Sequence, residues 1–424
     1  MSRSRGPGRC NIPAIAAAGV ALWSLSACTR SETPVERIET LPAPVRDVRV
    51  LVASGADRVR IRAKHPVFTV PDEENVAFNI ETGDRWIHIG SGGEGGLLLD
   101  GTSIAARSLM VHSADAEPIT FSQSTDDGWS ETRFYPGRLR IDATDDDGGI
   151  EVLNTVHIER YVASVVSNEV WPTFHEEAYR AQAIAARTFV LYQMMNRRNR
   201  SFDVAATQGA QVYRGLRSDP VGRRAAAAAE YTRGVACTHT KDGVERLFCT
   251  FYSAACGGMS QSAALFGAEN AIEPLLGGVP CDFCKIAPGD AYRWGPVRIR
   301  LAELTSRLVA RYPDLSSLGR VAAIEVVERA PVSRLVTLRV TGSSGESRDL
   351  MAERFRQAVG PQWMKSTDCE IGVLGSEATF SNGRGFGHGL GLCQWGMQGQ
   401  ALRGKRAGEI LRYYYPGSKL TRVY

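Results

Sequence analysis

The stretch YVASVVSNEVWPTFHEEAYRAQAIAARTF, residues 161–189, places a lone carboxylate, Glu169, at a break between two helical runs. Trp171-Pro172 makes the break, because proline lacks an amide donor and disfavours the helical region for the residue before it. An acid held there can stand at the mouth of a cleft and move protons. The pattern predicts one helix over 159–168 and a longer one over 176–196. On the longer run Ala178, Ala181, Ala185, Thr188, Phe189 and Tyr192 recur at three- and four-residue steps, so one small, apolar face belongs in the core.

A second stretch, GRGFGHGLGLCQWGMQGQA at 383–401, gathers glycines around a histidine, a glutamine and a tryptophan. So many positions without a β-carbon predict a loop whose backbone can approach a ligand closely. Read together, the two stretches are the two ends of one site.

The rest of the chain sets the context. Arg3, Arg5 and Arg9 precede an apolar run at 12–25 that is short for a membrane span, which reads as an export signal over 1–28. It closes on Leu25-Ser26-Ala27-Cys28, similar to a bacterial lipobox, so Cys28 is the expected lipidation site. Residues 29–46 are polar and proline-bearing, as a tether between lipid and domain would be. The protein is therefore expected to be exported and lipid-anchored to a bacterial membrane, facing the periplasm or cell wall. With 50 Lys+Arg against 46 Asp+Glu and no basic run, nucleic acid is not an indicated partner.

Between 47 and 150, short β-forming segments alternate with Gly, Asp and Ser turns and predict a β-rich lobe. Beyond it, 151–424 mixes strands and helices, with Lys241-Asp242-Gly243 as a hairpin turn. The expected fold class is α+β: mixed strands, a helical pair carrying the acid, and the β-rich lobe beside them.

Four stretches, NTVHIERYVASVVSNEVWPTFHEEAYRAQAIAARTFVL, TQGAQVYRG, FYSAACGGMSQSAALFG and GRGFGHGLGLCQWGMQGQALRGKRAGEILRYYYPG, occur in the order in which similar motifs stand in the SpoIID/LytB family of peptidoglycan-acting proteins. The resemblance spans nearly all of 47–424. It implies a lytic transglycosylase that cleaves between N-acetylmuramic acid and N-acetylglucosamine, with the family's catalytic glutamate at Glu169. Such an enzyme manages with one acid, because the sugar's own C6 hydroxyl closes a 1,6-anhydro ring. That fits a sequence in which Glu176, Glu177 and Asp203 are the other acids to weigh and none stands out as a partner. Part of the family enhances a separate amidase, so a non-catalytic, peptidoglycan-binding amidase enhancer is the alternative reading, and a cell-wall amidase a possible partner.

Candidate contacts to glycan are Gln182, Arg187, Gln211, Tyr213, Ser253, His388 and Gln394, whose side chains can hold sugar hydroxyls and amides; the alternatives are that His388 only holds its own loop together by hydrogen bonding and that Arg187 pins a neighbouring strand's carbonyls. Trp395 is weighed either as a sugar-stacking platform or as core. After Cys10 and Cys28, seven cysteines remain, an odd number that cannot fully pair within one chain. Cys281 and Cys284 have the spacing to grip one metal, and Cys256 can supply a third ligand. Some family members bind zinc in this region, which makes zinc the preferred reading. The fourth ligand is left open among His239, His388, Cys249 and water, against the alternative of a disulfide between Cys281 and Cys284 or between two of the other cysteines.

Overall fold

The computed structural model describes residues 36–37, 47–71, 77–79, 85–92, 96–144, 149–197, 200–207 and 210–424. The expected signal segment with Cys28, and the tether apart from 36–37, lie outside the described residues. Among the described residues no helix is long and apolar enough to cross a membrane.

The fold is α+β, as the sequence predicts. Its frame is a sheet in which strand Asp47–Ala56 lies antiparallel to strand Ile150–His157, with Val50 opposite Asn154 and Asp47 opposite His157. Alternation places Val48, Val50 and Val52 on the buried face. Strand Arg138–Ala143 continues the sheet on the other side of Ile150–His157. A second sheet, built around Arg58–Arg62 and Ile119–Thr125, buries Val59, Ile61, Ile119 and Phe121.

Strand Ile150–His157 runs directly into helix α1, Ile158–Glu169, whose first turn is capped by the His157 Nδ1 accepting from the Glu159 N–H. The helix ends at Glu169, as the Trp-Pro break predicts, and Val170 leaves it in an extended conformation. Helix α2, Glu176–Asn196, is buried along most of its length, with Ala178, Ala181, Ala185 and Thr188 all inside. It packs against α1, against helix α3, Pro220–Tyr231, and against strand Val235–Lys241. The hairpin from that strand to Val244–Leu247 turns at Asp242 and Gly243, both at positive φ, the signature of its two-residue turn.

The apolar interior forms two clusters among the described residues. One is continuous from the strands of 47–156 through the helical region to Tyr415. The other belongs to residues 294–380 and centres on Leu304, Leu338, Val340, Phe355 and Phe380. Those residues contain helices α4, Leu301–Arg311, and α5, Ala352–Val359, and make an inserted lobe with its own core. The chain enters and leaves it through a short antiparallel pair, Trp294 opposite Gly383. The glycine-rich stretch therefore begins where the lobe returns.

That stretch is not a loop throughout. It continues as helix α6, Gln394–Ala401, followed by helix α7, Ala407–Tyr414. Its glycines accommodate the protein's own neighbours. At Gly389, φ +74°, a β-carbon would overlap the Arg334 guanidinium; at Gly391, φ +59°, it would overlap the Phe251 carbonyl.

Candidate functional site

Glu169 is the last residue of α1, partly exposed, and three donors converge on it. The Val212 N–H lies 2.9 Å from Oε1, the Tyr252 hydroxyl 3.4 Å from Oε1, and the Gln394 amide 3.4 Å from Oε2. Parallel pairing of Tyr252–Ser253 with Leu392–Cys393 brings the last two donors together across a large sequence separation. Burial raises the Glu169 pKa above the ordinary carboxylate value, while these hydrogen bonds act against the rise. The first and second expected stretches thus meet at one carboxyl group.

Beside the acid, Trp171 is 53% exposed. Its ring centroid stands 5.7 Å from that of Trp395, which is itself buried and meets the edge of Phe174. Trp395 is therefore core, and Trp171 is the indole that solvent and a ligand can reach. Arg224 of α3 fastens the connecting segment by donating to the carbonyls of Pro172 and Phe174.

No second carboxylate bonds to Glu169 among the described residues. Glu176 and Glu177 both pair with Arg180, and Asp203 pairs with Arg49 on the wall of a separate cavity of about 770 Å³.

The other expected glycan contacts separate by burial. Gln394 reaches the acid and lies 3.5 Å from the Gln182 Oε1. Gln182 is fully buried behind it, with its amide nitrogen unpartnered. Gln211 is also buried, accepting from Tyr161 and donating to the Ala186 carbonyl. Tyr213 stacks on Tyr135 and Tyr161 and hydrogen-bonds Asn154 in the interior. Ser253 is buried, its hydroxyl accepting from the Gly389 N–H. His388 holds its own turn, Nδ1 accepting from the Leu390 N–H at 3.0 Å. Burial lowers its pKa to about 4, so the ring is neutral near pH 7.

Arg187 follows the second of its two readings, bonding a neighbouring strand's carbonyl and not facing a ligand. It is fully buried and spends its guanidinium on Glu159, Thr232 and the carbonyls of Ala229 and Val235. Its place on the core face of α2 required such partners, and none of its donors is left for glycan.

Cys256, Cys281 and Cys284 come together as expected, and Cys393 completes the set. The four sulfurs lie within 4.8 Å of one another, all buried. His239, His388 and Cys249 are not members, which corrects the expected fourth ligand. None of the seven described cysteines is disulfide-bonded, so the Cys281–Cys284 disulfide is absent too.

The donor set fits a tetrahedral thiophilic cation. Four sulfurs about 2.3 Å from one zinc stand about 3.8 Å apart, and Cys256 and Cys284 are separated by 3.8 Å. Backbone N–H groups of Cys256 and Gly396 aim at the Cys393 sulfur at 3.2 and 3.3 Å, and the Tyr414 hydroxyl lies 3.0 Å from that of Cys281. Such donors suit thiolates. Four protein ligands close the coordination shell, so a bound metal there would be structural.

Comparisons with known proteins agree with this geometry. A family profile described as SpoIID, stage II sporulation protein, matches residues 146–239, the segment that contains α1, Glu169 and α2. An uncharacterized protein of Brachyspira hyodysenteriae is 31% identical over 271 residues, covering 63% of this chain and 67% of the relative. Stage II sporulation protein D of Bacillus subtilis is 28% identical over 284 residues, 63% of this chain and 76% of that protein. An amidase enhancer of Bacillus subtilis is 30% identical over 117 residues, 27% of this chain but 16% of that protein. The acid, the elements that hold it and these similarities together establish that the chain belongs to the SpoIID family.

Proposed function

We propose that this protein works at the bacterial cell wall as a peptidoglycan lytic transglycosylase, with Glu169 as its one general acid and base. The observation that carries the reading is the Glu169 carboxyl itself: desolvated, partly open to solvent, held by three donors and, among the described residues, without a carboxylate partner. A raised pKa keeps the carboxyl protonated at higher pH, as a general acid requires.

The chemistry then balances within the sugar. Glu169 gives its proton to the oxygen bridging C1 of N-acetylmuramic acid and N-acetylglucosamine, and the bond from C1 to that oxygen breaks. The C6 hydroxyl of the same muramic acid attacks C1, and its proton returns to Glu169. No water is consumed, which is why a second carboxylate to activate it is not needed. The exposed Trp171 face suits an adjoining sugar ring. Gln394 and Tyr252 orient the carboxyl, while Gln182, Gln211, Tyr213 and Ser253 are buried in the interior and contribute to the frame of the site. Zinc would be held by Cys256, Cys281, Cys284 and Cys393, fixing the loop that leads into Gln394.

An exported, Cys28-anchored protein would meet this substrate outside the inner membrane. The test compares the parent with Glu169→Gln on isolated sacculi, reading 1,6-anhydro ends by mass. Loss of those ends in the variant is expected, and equal release from both proteins would refute the assignment. The partial similarity to an amidase enhancer motivates the rival reading. In that case Glu169→Gln would stimulate a cell-wall amidase as well as the parent, and neither would release anhydro sugar.

A further inference from the structure

The inserted lobe contributes one side chain that its own interior does not explain. Arg334, just before strand Leu335–Gly342, is fully buried. Its Nη2 donates to the Cys256 carbonyl at 2.7 Å and its Nη1 to the Gly387 carbonyl at 3.4 Å, while Nε has no partner. The carboxylates whose field reaches it are Asp368 and Glu353. Each is already engaged, Asp368 with Arg384 at 3.1 Å and Glu353 with Arg356 at 2.6 Å. Arg384 is 41% exposed, so Asp368 still offers charge to the interior, but among the described residues no carboxylate oxygen hydrogen-bonds the Arg334 guanidinium, whose bonds go to carbonyls. A buried charge without a counter-charge is expensive, and proteins rarely keep one.

A further source of negative charge, nearer by hydrogen bond, lies across the Cys256 backbone. Four thiolates around one divalent cation carry a net charge of minus two, and Cys256 belongs to both the cluster and the Arg334 hydrogen bond. We propose that Arg334 is the counter-ion of the four-cysteine metal centre, so that metal loading and the docking of the inserted lobe on the glycine-rich stretch stabilise each other. The coupling reaches the acid through short connections. Arg334 lies against Gly389, Cys393 is a sulfur of the cluster, and the next residue, Gln394, bonds to Glu169. Arg334 is thus a positioning residue, acting on the site through the metal centre.

The experiment uses the mature chain and zinc alone, with affinity read by competition against a chromophoric chelator. Arg334→Met, which keeps the volume and removes the charge, is expected to weaken zinc binding at least tenfold. Arg334→Lys, which restores a charge, should recover part of the loss. Arg339→Gln, at an exposed pair with Asp349, should leave affinity unchanged. Equal affinity in the parent and Arg334→Met, or no zinc bound by the parent, would overturn the proposal.

Should Arg334→Met fail to fold, the parent supplies a second readout. Removing zinc should speed amide hydrogen exchange in strand Leu335–Gly342, which holds no metal ligand. Unchanged exchange there would overturn the proposal as well. Neither readout involves glycan, so the outcome is independent of the transglycosylase reading.

Discussion

Replacing Arg187 by methionine separates a structural guanidinium from a glycan contact. In the folded chain Arg187 is fully buried, with Nη2 2.5 Å from the Glu159 Oε2 and Nε 3.0 Å from Oε1. It also satisfies the carbonyls of Ala229 and Val235, tying α1, α2, α3 and strand Val235–Lys241 together. Arg187→Met leaves Glu159, itself 6% exposed, with the Tyr424 hydroxyl and the Gly234 N–H as its partners. Removing one member of a buried pair costs about 3–5 kcal/mol, and urea unfolding at pH 7.5 should show a loss of that size.

The pH dependence has a definite sign. Burial opposes the charge on Glu159, but Arg187, Tyr424 and Gly234 outweigh it and hold the pKa below the ordinary value. That carboxylate therefore stabilises the parent above the unfolded pKa, and the contribution disappears as pH falls through the folded pKa. Without Arg187 the same carboxyl is buried and unpaired, so its pKa rises and it takes up a proton sooner. The deficit of Arg187→Met should be largest near neutrality and shrink toward pH 4. Combining Arg187→Met with Glu159→Gln should cost less than the two single losses added together. A variant whose stability stays within about 0.5 kcal/mol of the parent while glycan release collapses would refute this reasoning and restore Arg187 as a substrate contact.

The remaining predictions concern the acid and its frame. Tyr252→Phe removes a donor from the Glu169 carboxylate, so its pKa should move further up and the alkaline limb of the pH–rate profile with it; a downward shift would contradict the hydrogen-bond account. Because the folded pKa of Glu169 is already raised, its contribution to stability is full at low pH and is lost as pH rises through that pKa. Glu169→Gln should therefore unfold at a higher temperature than the parent at pH 8 and lose that advantage at pH 4. Gly396→Ala would place a methyl on the Tyr414 hydroxyl and 2.6 Å from the Cys281 sulfur, costing about 1–3 kcal/mol and lowering bound zinc measured by atomic emission. Trp171→Ala should raise KM for glycan while moving the unfolding midpoint little, because that indole is half outside the fold.

Sequence reasoning reached the helical pair because its signals are local. A period of three to four and a Trp-Pro stop lie within the segments they govern, and the structure adds histidine caps at His157 and His175. Helix α6 escaped because Gly396 and Gly399 argue against a helix by propensity. There, packing overrides propensity: a β-carbon at Gly399 would overlap the Phe283 carbonyl, and the segment Asp282–Ile286 lies against that face. The separate interior of 294–380 was hidden for a related reason, since its strands and helices resemble those on either side. The pairing of Arg293-Trp294 with Gly383-Arg384 marks where the chain departs and returns. Sequence spacing leaves Arg187 open between a glycan contact and a pin on a neighbouring strand's carbonyls; the packing of strand Val235–Lys241 against α2 decides for the second.

The fourth cysteine shows where a usable signal lay. Seven cysteines are odd for disulfides, which leaves Cys393 free to serve as a ligand. What sequence spacing could not show is the parallel pairing of Tyr252–Ser253 with Leu392–Cys393, which brings Cys393 to Cys256. The same pairing sets the Gln394 amide against Glu169. A shift of that pairing by one residue would remove a sulfur from the metal cluster and a donor from the acid together, since neighbouring residues on a strand point to opposite faces. The metal site and the proton-transfer site are thus held in register by one short ladder, and the geometry of each constrains the other.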